Sequence, residues 1–153
     1  MSARLSILAI DPGKKTGWYR LGGGPRPAAS GLFDIGRFED HGQALAMWSD
    51  WLDKSLTLDP PQVLAIERAI FVRGHALGEL TTAMVRLAHA LGWAHNVRRW
   101  EATANSVRKG LCGKAKATDP EIRAAVRAAG LDPMNEHEAD AAALAIVCRG
   151  ALA

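Results

Sequence analysis

Four side chains of the sequence have the types and spacing of a divalent-metal site. Asp11 and Glu67 each directly follow a short apolar run, and His137 and Asp140 stand three residues apart at the start of another apolar segment. Carboxylate oxygens with open coordination positions favour Mg²⁺ or Mn²⁺, whereas a structural zinc site would need cysteines and more histidines. Two such ions, about 3.5 to 4 Å apart, can activate a water and stabilise a leaving oxygen. The pattern therefore indicates hydrolysis of a phosphodiester.

Asp11 and Glu67 each have an ordinary structural alternative. Asp11 precedes a Pro-Gly pair, so it could open a turn and be satisfied by backbone amides. Glu67 could form a salt bridge with its neighbour Arg68 or with a lysine. Glutamate is uncommon in strands, however, and a carboxylate at the edge of a buried sheet carries a desolvation cost unless a cation or hydrogen bonds offset it. The two acids together favour a cation site.

The segment from Glu136 to Ala141 opens a predicted helix whose body is almost wholly apolar. His137 and Asp140 are three residues apart, so they share one helix face and can reach a common ion. Glu136 and Glu138 project elsewhere and are interpreted as helix-dipole or capping residues. The alternatives are an exposed first-turn histidine and an aspartate that the helix dipole favours.

Hydrophobic periodicity predicts the elements that position these residues. Short apolar runs predict the strands Leu5–Ile10, Trp18–Leu21, Gly31–Gly36, Val63–Ile66 and His95–Arg99. Apolar residues at helical spacing predict the helices His41–Leu56, Leu77–Leu91, Ala102–Leu111, Pro120–Ala129 (with Asp119 as its N-cap) and Glu136–Cys148. This order implies an α/β fold with a five-stranded mixed sheet and helices on both faces. Sites in such sheets lie beyond the carboxyl ends of the parallel strands, where Asp11 and Glu67 fall.

Bulk composition narrows the class of protein. The 153 residues fit a single domain, 1–153, and the 48% hydrophobic and 23% charged residues argue against disorder. A net charge of +3 permits an anionic partner without establishing one. The two cysteines show no CxxC spacing, which favours a reducing compartment. The N-terminal apolar run has only six residues, too few for a signal peptide or a membrane span, so we expect a cytoplasmic protein with no membrane partner.

Four motifs carry a resemblance to a known family. They are Ala9-Ile-Asp-Pro-Gly13 with Thr16-Gly17, Leu64-Ala-Ile-Glu67, Ala104-Asn-Ser-Val-Arg-Lys109 and His137-Glu-Ala-Asp-Ala-Ala-Ala-Leu-Ala-Ile146. In order and spacing they resemble the RuvC-type Holliday junction resolvases of the RNase H-like superfamily, over nearly the whole chain. The first motif is shared with other RNase H-like and actin-like folds, so the specificity comes from the four together.

The resemblance implies an RNase H-like fold and a magnesium-dependent endonuclease with two ions in each active site, in which Mn²⁺ substitutes for Mg²⁺. Asp11, Glu67 and Asp140 match the family's invariant acids, and His137 matches the fourth ligand position. The implied products are 5′-phosphate and 3′-hydroxyl ends. The implied substrate is a four-way DNA junction, which a homodimer nicks symmetrically in two strands.

The resemblance also points to residues that would contact DNA. Phe71 and Arg73 follow Glu67 where the family has a loop whose aromatic residue wedges into the junction, and an exposed Phe can stack on a base. Core burial is the alternative for Phe71. Basic residues also cluster where the family contacts the scissile phosphate and backbone. These are Arg108, Lys109, Lys114 and Lys116, each of which could instead belong to a solvated helix face.

Some features depart from the family. The chain is short for a bacterial RuvC, one family lysine position falls near Asp119, and the Gly22–Pro27 insert is not a family hallmark. A phage or mobile-element RuvC-like enzyme would fit these departures. Two alternatives stay open: an RNase H-like nuclease acting on RNA or an RNA-DNA hybrid, as the YqgF-like relatives suggest, and a non-catalytic module that binds branched DNA.

Overall fold

The sheet at the centre of the protein has five strands in the order β3-β2-β1-β4-β5. A computed structural model describes residues 4–23, 28–68 and 76–153. The strands are β1 (Ile7–Asp11), β2 (Lys15–Leu21), β3 (Ala29–Asp34), β4 (Val63–Arg68) and β5 (Arg98–Thr103). β1 pairs antiparallel with β2 and parallel with β4, while β2 pairs antiparallel with β3 and β4 parallel with β5. The predicted mixed sheet, antiparallel first and parallel afterwards, is confirmed.

Helices cover both faces of this sheet. They are α1 (His41–Leu58), α2 (Ala76–Ala94), α3 (Ala104–Cys112), α4 (Asp119–Ala128) and α5 (Glu136–Leu152). Successive residues of β1 alternate between the two faces. Ile7 and Ala9 join the core beneath α3, α4 and α5, whereas Leu8 and Ile10 join the core beneath α1 and α2. A strand buried on both sides needs apolar residues at every position, which explains the continuous apolar run before Asp11.

The small residues of α5 let it lie close to the sheet. Five consecutive positions, residues 141–145, are Ala-Ala-Ala-Leu-Ala, and all are at most 2% exposed. Their short side chains bring the helix backbone near β1 and β2, so the first turn of α5 comes to the end of the sheet at which β1 and β4 finish. This helix therefore delivers its N-terminal residues to the predicted site.

A buried hydrogen-bond network fixes the turn that follows β1. The Thr16 hydroxyl donates to the carbonyl oxygen of Gly13 at 2.8 Å, and the indole N–H of Trp48 donates to Thr16 Oγ1 at 2.9 Å. Both Thr16 and Trp48 are fully buried. Trp51 stacks on Phe33 with ring centroids 4.9 Å apart, so the two tryptophans of α1 contribute to the core and to the turn beside Asp11.

Several element boundaries differ from prediction by one to four residues, and at β5 and α4 the difference has a local cause. β5 begins at Arg98 rather than His95, because α2 continues to Ala94 and Asn96 then turns the chain with a φ of 55°. Such a left-handed conformation is tolerated by Asn better than by most residues. The N-cap of α4 is Thr118, whose side chain accepts from the Glu121 N–H, so the predicted cap Asp119 is instead the first residue of the helix. Both Thr and Asp are good caps, and the sequence alone did not separate them.

None of the helices in the described part of the chain is both long and apolar enough to span a bilayer.

Candidate metal centre and active site

Strand register places Asp11 and Glu67 side by side. β1 and β4 run parallel with Ile10 opposite Ile66, so the next residue on each strand is one of the two acids. Their carboxyl groups hydrogen-bond to each other. Arg68, the alternative partner for Glu67, pairs instead with Glu101 through Nε at 3.4 Å. The sequence-based expectation that two parallel strands end in neighbouring carboxylates is therefore met.

Burial and mutual repulsion make it costly for both acids to be ionised. Burial raises the pKa of Asp11, against the lowering effects of its hydrogen bond to Glu67 and of His137 and Arg108. Burial also raises the pKa of Glu67, and the neighbouring charge of Asp11 raises it further. Two carboxyl groups in one desolvated place share a proton for this reason. The hydrogen bond between the two groups lowers the pKa of Asp11 and raises the pKa of Glu67, so it favours Glu67 as the donor.

Asp140 joins this pair from α5. Burial and then the charges of Asp11 and Asp119 raise the pKa of Asp140 to about 7. Asp140 also raises the pKa of Glu67, so the three carboxyl groups form one electrostatic cluster. His137 lies one turn earlier on the same helix and interacts electrostatically with Asp11. Three distant parts of the chain thus bring together the four residues predicted from the sequence. We call Asp11, Glu67, His137 and Asp140 the acidic cluster.

Gly17 lets α5 approach β1 this closely. Gly17 is the register partner of Asp11 on β2. A Cβ added at Gly17 would lie 2.0 Å from the carbonyl oxygen of His137, far inside van der Waals contact. The backbone of the first turn of α5 therefore packs directly on β2 beside Asp11, and the absence of a side chain at position 17 is what permits it.

Glu138 anchors the same turn. Its side chain is 4% exposed and accepts hydrogen bonds from Ser30 Oγ on β3 and from Asn135 Nδ2 at 2.6 Å. Asn135 caps α5 in return, because its Oδ1 accepts from the Glu138 N–H at 2.9 Å. Asn135 therefore caps the backbone of α5 while its side-chain amide is held by Glu138. Glu138 was predicted to be a helix-dipole or capping residue, but the cap is Asn135, and the burial of Glu138 and its link to β3 were missed.

Arg108 faces the acidic cluster from α3. Its positive charge lowers the pKa of all three carboxyl groups, Asp11, Glu67 and Asp140. Its guanidinium also lies 3.9 Å from the carboxylate of Asp119 at the start of α4. Among the predicted DNA-contacting cations that lie within the described residues, Arg108 is the one that the structure brings to the acids.

Asp119 is a fourth acid near the site that sequence reasoning did not assign a functional role. It raises the pKa of Asp140 and holds Arg108. A local signal was present, since Asp119 begins a helix whose first turn is acidic. Nothing in that local pattern revealed that α4 begins beside α3 and α5.

The predicted lysines lie farther out. Lys114 is exposed and its Nζ pairs with Glu121 Oε2 at 2.6 Å. Lys109 and Lys116 are also exposed, and no described ion pair involves either of them. Phe71 and Arg73, which were predicted to contact the junction, fall outside the described residues.

The chemistry of the donor set fits a hard divalent cation. Three carboxylates and one imidazole meet where ionisation is disfavoured without a compensating positive charge, and a divalent ion supplies that charge. In the described conformation, no group of three or more His, Cys, Asp or Glu side chains within residues 4–23, 28–68 and 76–153 is arranged to hold a metal. The proton shared by Asp11 and Glu67 reduces the negative charge of the acidic cluster. A bound cation would take over that role.

Comparisons with known protein structures identify the fold. No protein-family model matches the sequence, and a search of curated proteins finds no match. Among solved structures, RuvC of Thermus thermophilus superposes with a TM-score of 0.78 at 21% identity over 97% of this chain and 96% of that one. The same protein in complex with a Holliday junction substrate gives 0.79 at 21% identity, with 94% and 92% covered. Ydc2, the yeast mitochondrial Holliday junction resolvase, gives 0.67 at 10% identity, with 96% and 78% covered. The chain therefore has the α/β, RNase H-like fold of the RuvC-type resolvases.

Proposed function

We propose that the protein is a metal-dependent DNA endonuclease that cleaves four-way or other branched junctions by phosphodiester hydrolysis. The observation that carries the proposal is the acidic cluster, assembled from β1, β4 and α5 at the carboxyl edge of the sheet. A carboxyl cluster of this kind is costly for stability alone. Its place in a fold shared with Holliday junction resolvases supports the choice of substrate.

The acidic cluster would hold two Mg²⁺ ions, and Mn²⁺ would substitute. Bound ions supply activation of a water and stabilisation of the leaving oxygen. For the chain's own residues, binding requires that Asp11 and Glu67 give up their shared proton and that all three carboxylates turn toward the ion. His137 contributes a ring nitrogen only in its neutral form.

Arg108 has a separate role in this proposal. Its guanidinium, next to the carboxylates, would hold a non-bridging oxygen of the scissile phosphate by charge-assisted hydrogen bonds. Asp119, whose carboxylate lies 3.9 Å from the guanidinium, would position Arg108. Attack by water and rupture of the bond to the 3′ oxygen would leave a 5′-phosphate and a 3′-hydroxyl.

Branched DNA and a second copy of the chain are the proposed partners. A homodimer would place two acidic clusters on the two strands that must be nicked to resolve a junction. The mild basic excess of the chain agrees with a polyanionic ligand. We expect the protein to act in DNA recombination or repair in the cytoplasm.

The test uses a labelled four-way junction, a matched linear duplex and an RNA-DNA hybrid, each with Mg²⁺, Mn²⁺ or EDTA. We expect metal-dependent paired nicks confined to the junction. Asp11→Asn and Glu67→Gln should abolish cutting and keep junction binding. Asp50→Asn is the matched control, because Asp50 is an exposed residue of α1 that pairs with Lys54.

The outcomes separate the alternatives. Cleavage of the hybrid but not the junction would replace the proposal with an RNA-directed nuclease. Junction binding without cleavage in any metal would favour the non-catalytic module. Cutting by Asp11→Asn at the wild-type rate would rule out the acidic cluster as the active site.

A further inference from the structure

We propose that a cleft between α4 and the first turn of α5 binds a phosphate that flanks the scissile phosphate on the DNA strand that is cut. The identity of the ligand rests on the proposed nuclease function, whereas the cleft itself is a feature of the fold. The cleft has a volume of about 270 Å³. It is lined by Asp119, Pro120, Arg123, Ala124, Arg127 and Glu136.

One end of the cleft adjoins the acidic cluster. Asp119 and Glu136 both line the cleft, and the charges of both act on Asp140. A strand whose scissile phosphate lies at the acidic cluster therefore has this cleft directly beside it. The carboxylates of this end would repel a phosphate, so the anion must be held at the other end.

Two arginines form that other end. Arg123 and Arg127 follow Asp119 at four-residue steps on α4, so the three lie on one face of the helix. Each step of four residues moves about 6 Å along the helix. The face thus changes from acidic beside the metal ligands to basic one and two turns away. A DNA strand leaving the acidic cluster along α4 meets positive charge after one turn.

The arginines are available for a ligand. Arg108 and Lys114 already pair with acids of α4, at 3.9 and 2.6 Å respectively. Among the described residues, by contrast, no acid lies within ion-pair distance of Arg123 or Arg127. Arg123 is half-buried in the wall of the cleft, which limits the positions that its guanidinium can take. A planar, five-donor guanidinium held in this way suits phosphate oxygens.

The test compares two double variants with the same change of net charge. Arg123→Gln/Arg127→Gln removes the proposed site. Arg86→Gln/Arg98→Gln is the control, because Arg86 is exposed on α2, across the sheet, and Arg98 begins β5, at the edge opposite the acidic cluster. Both are made in an Asp11→Asn background, so that binding is measured without cutting. Equal urea midpoints for the two variants establish that both are folded.

We expect Arg123→Gln/Arg127→Gln to weaken junction binding about 10-fold or more near 0.1 M salt. The slope of log affinity against log salt should become less negative by about 1 to 2, one unit for each lost phosphate contact. In the control variant, the change in junction affinity and the change in salt slope should each be less than half as large. With Asp11 restored, Mn²⁺ affinity without DNA should match the wild type in both variants. A neutral methylphosphonate, placed at each phosphate in turn, should weaken wild-type binding at one position flanking the cut and have no effect there in Arg123→Gln/Arg127→Gln.

Failure of this inference is distinguishable from failure of the proposed function. Equal losses in the two double variants, or an unchanged salt slope in Arg123→Gln/Arg127→Gln, would overturn the phosphate site even if the wild type cuts junctions. A selective loss of binding in a protein that cuts no junction would leave the site standing and overturn the nuclease instead.

Discussion

Gly17 on β2 lies against the backbone of His137 on α5, so closely that a Cβ at position 17 would sit 2.0 Å from the His137 carbonyl oxygen. Because Gly17 is also the register partner of Asp11, this contact sets how closely the first turn of α5 approaches Asp11 on the sheet.

Gly17→Ala should therefore displace the first turn of α5. Since the obstacle is backbone and not a flexible side chain, we expect a loss of about 2 kcal/mol or more in the free energy of unfolding. Mn²⁺ affinity should also fall, as His137 and Asp140 move away from Asp11. Urea denaturation and Mn²⁺ titration measure the two effects. Gly150→Ala, at the far end of α5 with open space around it, is the control and should lower neither.

Glu138 should support the site without ligating a metal. Glu138→Ala leaves Ser30 and Asn135 without their shared acceptor, so we expect a loss of about 1 to 3 kcal/mol in the free energy of unfolding together with weaker Mn²⁺ binding. Glu136→Ala, two residues earlier and exposed, should cost about 0.5 kcal/mol or less. Equal losses of stability in the two variants would contradict the anchoring role of Glu138.

Arg108 and Lys109 are adjacent in sequence but have different surroundings. Arg108 faces the acidic cluster, whereas Lys109 is exposed. We expect Arg108→Gln to slow single-turnover cleavage of a junction about 10- to 100-fold at saturating DNA, as expected for loss of a charged group at a reacting phosphate. Lys109→Gln should affect mainly binding and its salt dependence. If both variants slow the cleavage step equally, Arg108 has no special role there.

The metal-free protein should become less stable as the pH rises. The pKa of Asp140 is about 7 in the folded chain against a usual 3.8, so the unfolded chain loses this proton first. Between those values unfolding releases a proton, and the free energy of unfolding falls as the pH increases. Asp11 and Glu67, whose pKa values are also raised by burial, act in the same direction.

Thermal unfolding in EDTA between pH 4.5 and 8 checks this expectation. The melting temperature should fall across the range, and Asp140→Asn should flatten the curve. Mg²⁺ should restore stability most at the upper end, where the ligands are ionised. A melting temperature that rises steadily with pH in EDTA would contradict the clustering of the three acids.

Most of the fold follows from local sequence pattern. The apolar runs before Asp11 and Glu67 predict buried strands because both faces of the sheet are covered, and parallel register then brings the two acids together. The start of α5 is predictable because Asn135 and Glu138 have the spacing of a capping box. The start of β5 was wrong, since α2 continues past Leu91 and the turn at Asn96 depends on a left-handed residue that apolar periodicity does not reveal.

The rest of the site depends on contacts between distant residues. Glu138 is buried because Ser30, 108 residues away in sequence, donates to it. Asp119 and Arg108 meet because α3 and α4 pack against each other and against α5. Spacing within a helix identifies candidates of this kind but does not select among them, so Arg108 could not be distinguished in sequence from the exposed lysines near it.

The assembly of the acidic cluster from β1, β4 and α5 also has a consequence for the newly made chain. Its residues come from widely separated parts of the sequence, so the cluster is complete only after β1 and β4 have paired and α5 has docked. Contacts between such remote segments form late, because closing the intervening loops costs entropy first. Under the proposed function, a nascent or partly unfolded chain would thus have no hydrolytic activity, and DNA would be protected from cleavage until the chain has folded.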